Sequence, residues 1–208
     1  IVKVIYGGVI DILMKDQDIK RATRFLQNCL QNIVDEKYDM DKLVITKSLR
    51  GHYKNPDQIA HKVLADRIGK RDPGNKPSTG DRIAYVYIDN PSRKALQGER
   101  IETPEYIKAH NVKINYSFYI TNQIMKPLQQ VFALVLEDLP GFKKVKGFTL
   151  NKWYNELNAV KLKYPNNKNK VDALRNKEVK ALLFDKYLRD TENVRNNNTP
   201  ITEYFNIY

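Results

Sequence analysis

From Leu43 to Ile88 the chain reads LVITKSLRGHYKNPDQIAHKVLADRIGKRDPGNKPSTGDRIAYVYI, two apolar, β-branched runs held apart by a polar and strongly basic stretch. No single helix can cover it, because Pro73, Gly74, Pro77 and Gly80 make Arg71 to Gly80 a loop. The flanking runs suit strands: Leu43 to Thr46 is short and apolar, and Ile83 to Ile88 alternates in the strand manner. Before the loop, Asn55 and Pro56 stand where a helix N-cap and first position belong. Ile59, Val63, Leu64 and Ile68 then share one face, and Gly69 marks a helix end. The segment is expected to fold as strand, helix, loop, strand.

Helical patterns dominate the rest. Val2, Ile5, Val9, Ile12 and Leu13 recur at helical spacing around Gly7 and Gly8. From Asp16 to Glu36 the pattern is stronger: Ile19, Ala22, Phe25, Leu26, Cys29, Leu30, Ile33 and Val34 line one face, and Asp16 or Asp18 can cap the start. Thr103, Pro104 and Glu105 open another helix, and Tyr116 to Leu136 is a long helical pattern that Pro127 is expected to kink or break. After Gly141 the composition shifts to Lys and Asn. Phe148 to Leu162 and Val171 to Leu188 read as two amphipathic helices around the polar link Pro165 to Asn169, and Asn196 to Asn198 opens a tail. The fold class expected is mainly α with a few short β-strands, an α+β arrangement.

Charge narrows the partner class. The whole chain carries a net charge of +12 with a pI near 9.6. Between Lys42 and Arg82, ten basic side chains face four aspartates, a net +6. Such an excess attracts phosphates and releases counterions, giving affinity that falls steeply with salt and carries little sequence information. A solvated, Lys-rich surface accounts for a charge run alone equally well. No apolar run is long enough to span a membrane, so no membrane partner is expected. The single cysteine, Cys29, excludes a disulfide framework and suits a reducing compartment. With no initiator Met and no leader at Ile1, the chain reads as a piece of a longer protein.

The residues that carry chemistry in other chains are scarce here. YGGVID at Tyr6 to Asp11 looks like the YGDTDS motif of family B DNA polymerases, whose two aspartates hold catalytic metals. Gly8 and Ile10 fall at the two aspartate positions, leaving Asp11 alone, and a lone carboxylate cannot build a two-metal site. These residues are assigned to helix packing. His52, His61 and His110 are not spaced with one another or with Cys29 as metal ligands are. A Ser/His/Asp triple needs a proximity that sequence does not show, and no GxGxxG or GxxxxGK[ST] loop occurs. Tyr6, Tyr38, Tyr85, Tyr87, Tyr106, Tyr116 and Tyr119 fall mostly at core periodicity. Tyr53, flanked by Arg50, His52 and Lys54, is the best placed to stack on a base.

Taken in order, ITKSLR at Ile45 to Arg50, YKNP at Tyr53 to Pro56, HKVLADRI at His61 to Ile68, KRDPG at Lys70 to Gly74 and GDRIAYVYI at Gly80 to Ile88 resemble the thumb of family B DNA polymerases. The resemblance continues through TPEYIKAHN and INYSFYITNQIMKPLQQVF, covers roughly Ile1 to Leu136, and is closest to the polymerases of large DNA viruses. It implies a thumb-like helical domain over residues 1–140, followed by a C-terminal helical extension over 141–195 and a tail over 196–208. Such a thumb closes over newly made primer–template duplex and packs beside the palm domain of the same polymerase. A processive enzyme must hold any sequence, so phosphate contacts are wanted without base-edge readout. On that basis Lys47, Ser48, Arg50, Tyr53, Lys54, His61, Arg71, Lys76 and Arg82 are the candidates for duplex contact. Lys62 and Arg67 are open between that role and the solvated face of their helix.

The palm and fingers motifs are missing from these residues, so the chain alone is expected to be inactive. No catalytic residue, metal ligand or cofactor is assigned within it, and the divalent metal (Mg) of the parent nucleotidyltransferase would be held elsewhere. Paired cysteine clusters are missing too, so neither zinc nor an iron–sulfur cluster is implied. The tail NTPITEYF resembles the Q-x-x-I-x-x-[FY]-[FY] motif that binds a sliding clamp, with Asn198 where Gln is usual. Ile201, Tyr204 and Phe205 would gather on one helical turn as an apolar plug. The compartment implied is intracellular, the host cytoplasm or nucleus if the protein is viral. A free-standing, sequence-nonspecific nucleic-acid-binding protein is the alternative, and palm and fingers motifs in the upstream reading frame would discriminate the two. An unrelated enzyme with a scattered active site has no residue in its favour.

Overall fold

The computed structural model describes residues 1–92, 94–142 and 150–196. They fall into two compact units, one of residues 38–116 and one of residues 1–37 with the described part of 117–208. The second unit begins with α1 (Val2–Asp11) and α2 (Ile19–Val34), joined by a widened π turn over Ile12–Asp16 and by Gln17 in the left-handed region. Of the two possible caps, Asp18 is the one used, its carboxylate accepting the Arg21 N–H at 2.8 Å. The two helices meet closely at Gly8. A Cβ there would lie 2.5 Å from the Phe25 ring, so the YGGVID segment serves packing, with Ile5 and Val9 fully buried beside it.

The middle unit holds β1 (Ile45–Ser48), α3 (Ala60–Arg71), β2 (Arg82–Tyr87), β3 (Ile101–Glu102) and α4 (Pro104–His110). The strands form an antiparallel sheet in the order β1-β2-β3, with Ile45 opposite Tyr85 and Lys47 opposite Ile83. Alternation along β2 turns Ile83 and Tyr85 toward α3, where Leu49, Leu64, Ala65 and Ile101 complete the core. Each fully buried aliphatic side chain there contributes about 1.5–3 kcal/mol. Thr103 caps α4 as expected, accepting the Tyr106 N–H at 3.2 Å.

The start and end of α3 differ from expectation. Pro56 opens only a single 3₁₀ turn, Asn55 makes no side-chain capping bond, and the chain returns to extended backbone at Ile59 before α3 begins. Gly69 does not end the helix, which runs on to Arg71. The glycine instead clears space for the Lys76 side chain, whose Cγ would stand 2.6 Å from an added Cβ. β1 lies two residues later than the apolar run suggested, because Leu43 is buried ahead of the ladder.

The chain re-enters the helical unit through α5 (Tyr116–Phe118), a π segment over Tyr119–Met125, and α6 (Lys126–Leu134). Pro127 therefore does not break the helix. The ladder widens in the turns just before it, as a residue that lacks an N–H and crowds the preceding turn requires. Three helices follow where two were expected: α7 (Leu150–Lys163), α8 (Lys168–Leu183) and α9 (Asp185–Arg195). The long C-terminal pattern divides at Phe184, fully buried and off helical geometry.

Within this unit α8 packs on α6 and α7, and α9 packs on α2. Glu137, in the 3₁₀ turn after α6, ties α7 and α8 to that turn. Its carboxylate takes a fork from Arg175 at 2.7 and 2.6 Å and the Trp153 indole N–H at 3.3 Å. Burial pushes the Glu137 carboxyl up, but the Arg175 guanidinium, the backbone and the indole together hold it below the ordinary carboxylate value.

Candidate nucleic-acid interface

Lys47 and Arg82 lie where β1 ends and β2 begins, and Arg50 follows β1 directly. Lys47 points to the α3 side of β1, since it pairs with Ile83, and the first turn of α3 brings His61 to the same place. The Arg50 backbone N–H donates to the Tyr53 hydroxyl at 2.7 Å, and that hydroxyl lies 3.1 Å from His61 Nε2. With its oxygen accepting from Arg50, Tyr53 has its own proton free to donate to the imidazole. The two rings meet edge to face, 5.9 Å apart. Burial lowers the His61 pKa below its ordinary value and the nearby Lys47 and Arg50 charges lower it further, against a hydrogen bond with the Ser48 backbone. His61 therefore senses a local excess of positive charge.

Beside this cluster lies a cleft of about 400 Å³ lined by Arg50, Gly51, Lys62, Asp66, Lys76, Ser78 and Thr79, with Leu49, Ala65 and Pro77. Lys62 is held by Asp66 at 2.5 and 2.6 Å. Ser78 and Thr79 are the residues that sequence reading missed. Their position depends on a turn in which Gly80 takes a φ of +95° and Asp81 accepts the Ser78 N–H at 2.8 Å. Among the described residues, Lys47, Arg50, Lys54, Lys76 and Arg82 have no acidic partner. All five are exposed.

The remaining candidates separate. Ser48 and Arg82 face each other across β1 and β2, on the opposite side of the sheet from Lys47. Lys54 is exposed in the bend before α3. Arg71 is committed inside the unit, donating to Glu102 Oε2 at 2.7 Å and lying 3.7 Å over the Tyr106 ring, with Glu102 holding its charge firmly. Arg67, left open in the sequence, is neither a solvated residue nor an exposed cation. It donates to the Gly98 carbonyl at 3.0 Å and to the Ile101 carbonyl, and pairs with Glu102, which is 2% exposed. Asn198, Ile201, Tyr204 and Phe205 lie outside the described residues.

Residues 1–135 match the profile described as DNA polymerase family B. The chain belongs to DNA polymerase family B. It is 46% identical over 213 aligned positions to the DNA polymerase of Pyramimonas orientalis virus, covering all of this chain and 17% of that protein. It is 44% identical over 142 positions to the DNA polymerase of Acanthamoeba polyphaga mimivirus, covering 66% of this chain and 8% of that one. The chain thus spans less than a fifth of the length of these relatives. The solved family B DNA polymerase of the hyperthermophilic archaeon Pyrobaculum calidifontis aligns with a TM-score of 0.49 and 21% identity, over 59% of this chain and 16% of that one.

The carboxylates of the described residues do not fit a two-metal site. Among the described residues no cluster of three His, Cys, Asp or Glu side chains has a metal-holding arrangement. Asp11, the one acid of the YGGVID segment, is exposed and paired with Lys15 at 3.2 Å. No helix among the described residues is long and apolar enough to cross a membrane.

Proposed function

We propose that this chain is the thumb region of a longer viral family B DNA polymerase, holding primer–template duplex through its phosphates while nucleotidyl transfer proceeds on a palm domain with divalent metal elsewhere in the protein. The observation that carries the reading is that Lys47, Arg50, Lys54, Lys76 and Arg82 are exposed and, among the described residues, without acidic partners, with Arg50 and Lys76 lining the cleft and Lys47 and Arg82 on opposite faces where β1 ends and β2 begins. Ser48 adds an exposed hydroxyl that can donate to a phosphate oxygen without reading base edges, while Tyr53 and His61, bonded to each other and to the Arg50 and Ser48 backbone, hold the cluster in shape. Arg71 drops out of the contacting set because Glu102 and Tyr106 already hold it. Residues 1–140 serve as the thumb and 141–195 as its extension. The polymerase works inside the host cell, in cytoplasm or nucleus.

The test is binding of the full chain to duplexes of unrelated sequence. Affinities should agree across sequences, and Lys47→Ala with Arg50→Ala should make the slope of log K against log salt shallower by about 2. A strong preference for one sequence, or an unchanged slope, would overturn the reading. The tail NTPITEYF is proposed to dock a sliding clamp. Changing Tyr204 and Phe205 to Ala should abolish clamp pull-down and leave duplex affinity intact, and retained pull-down would remove the clamp from the proposal.

A further inference from the structure

The corner joining α7 and α8 reads KLKYPNNKNK over residues 161–170, with no acidic side chain between Glu156 and Asp172. Lys161, Lys163, Lys168 and Lys170 are exposed, and among the described residues none of them is in an ion pair. Farther along α8, Arg175 is forked onto Glu137 and Lys180 bonds Asp185, while Lys177 is exposed and, among the described residues, in no ion pair. We propose that this corner is a second nucleic-acid-binding surface, separate from the sheet-end cluster, whose ligand is the phosphate backbone of DNA.

Three features support it. The ammonium groups of Lys163, at the end of α7, and Lys170, in α8, lie 5.6 and 5.4 Å from the centroid of the Tyr164 ring. One tyrosine thus draws cations from two helices together, its quadrupole offsetting part of their repulsion. Lys168 and Lys170 occupy the first turn of α8, which has no acidic residue, so the helix dipole disfavours them there. Beyond the Tyr164 ring, no acidic partner among the described residues compensates this arrangement.

The chemistry of the corner selects its occupant. It offers compact ammonium charges and no arginine fork, which suits a row of backbone phosphates better than one bidentate carboxylate or phosphate. Asn166, Asn167 and Asn169 add amide donors for phosphate and sugar oxygens. An anionic membrane surface would call for a broad apolar face beside the charges, and the corner offers only Leu162, 82% exposed, and Tyr164, 36% exposed and engaged with Lys163 and Lys170. The corner also lies beyond the residues matched to the polymerase family, 1–135. Only the choice of DNA among polyanions rests on the polymerase reading.

The full chain should be titrated with duplex DNA across a salt series as parent, as Lys47→Ala with Arg50→Ala, and with all four corner lysines changed to Gln. The Gln variant should bind at least tenfold more weakly at low salt, with a slope shallower by about 3. Replacing the same lysines with Arg should keep the parent slope, which separates charge from fold. A Gln variant with the parent slope and affinity overturns the inference, whatever the Lys47 and Arg50 variant does. Phosphatidylserine vesicles or polyglutamate displacing DNA from the corner would overturn the choice of DNA. If only the Lys47 and Arg50 variant keeps its slope, the sheet-end reading fails and the corner stands.

Discussion

Protonation of His61 links pH to both stability and nucleic-acid binding. In the free chain, burial and the Lys47 and Arg50 charges hold its pKa below the ordinary 6.5, so the unfolded chain binds the proton more readily. The stabilising contribution of the neutral ring is therefore complete above that ordinary value. It is lost as pH falls through 6.5 toward the lower folded value. A phosphate docked between Lys47 and Arg50 reverses the sign, because a nearby anion favours the imidazolium. Duplex binding should then take up a proton, and affinity should rise more between about pH 7.5 and pH 6 for the parent than for His61→Gln. Ring-resonance NMR titration with and without duplex checks this: a His61 pKa raised by DNA is expected, and one unchanged or lowered would place the phosphates elsewhere.

At the level of elements, β3 is fastened to α3 by charge. Glu102 is 2% exposed and receives both Arg67 and Arg71, so Glu102→Ala leaves the half-buried Arg67 guanidinium without its acid, while the more exposed Arg71 can turn to water. The expected cost is about 3 kcal/mol, measured by urea denaturation, and replacing Arg67 and Glu102 together with Met and Leu should recover most of it. A loss of a few tenths would mean the pair is solvated. This fastening was not legible in the sequence, because Arg71 and Glu102 lie 31 residues apart and a basic residue on a helix gives no sign of a distant acid. Local signals were legible: Asp18 and Thr103 cap their helices because a cap needs only the N–H groups that follow it. Gly69 misled for the converse reason, its use being clearance for Lys76 rather than termination. Lys47, Arg50, Tyr53 and His61 were readable together because one turn and one helix start unite them. Ser78 and Thr79 reach the cleft only once the loop folds back to α3.

At the scale of the whole molecule, the helical unit takes its parts from both ends of the chain. α2 packs on α9 and α6 packs on α8, so the C-terminal extension closes the core that the first helices begin. Trp153, Leu157, Val179, Leu183, Phe184 and Tyr187 of the extension are all buried. At about 1.5–3 kcal/mol for each such side chain, their loss comes to about 9–18 kcal/mol, as large as the whole stability of a typical domain. The extension thus has a structural role alongside its proposed DNA contact, and a chain ending at Pro140 should not keep α1 and α2 packed. Cys29 on α2 reports this directly, since it is 7% exposed in the intact chain. Its thiol should react slowly with a disulfide reagent in the full chain and at least a hundredfold faster in the truncated one, at the rate of an unfolded control. Slow labelling after truncation would show that residues 1–140 hold their own core and that the extension is an appendage.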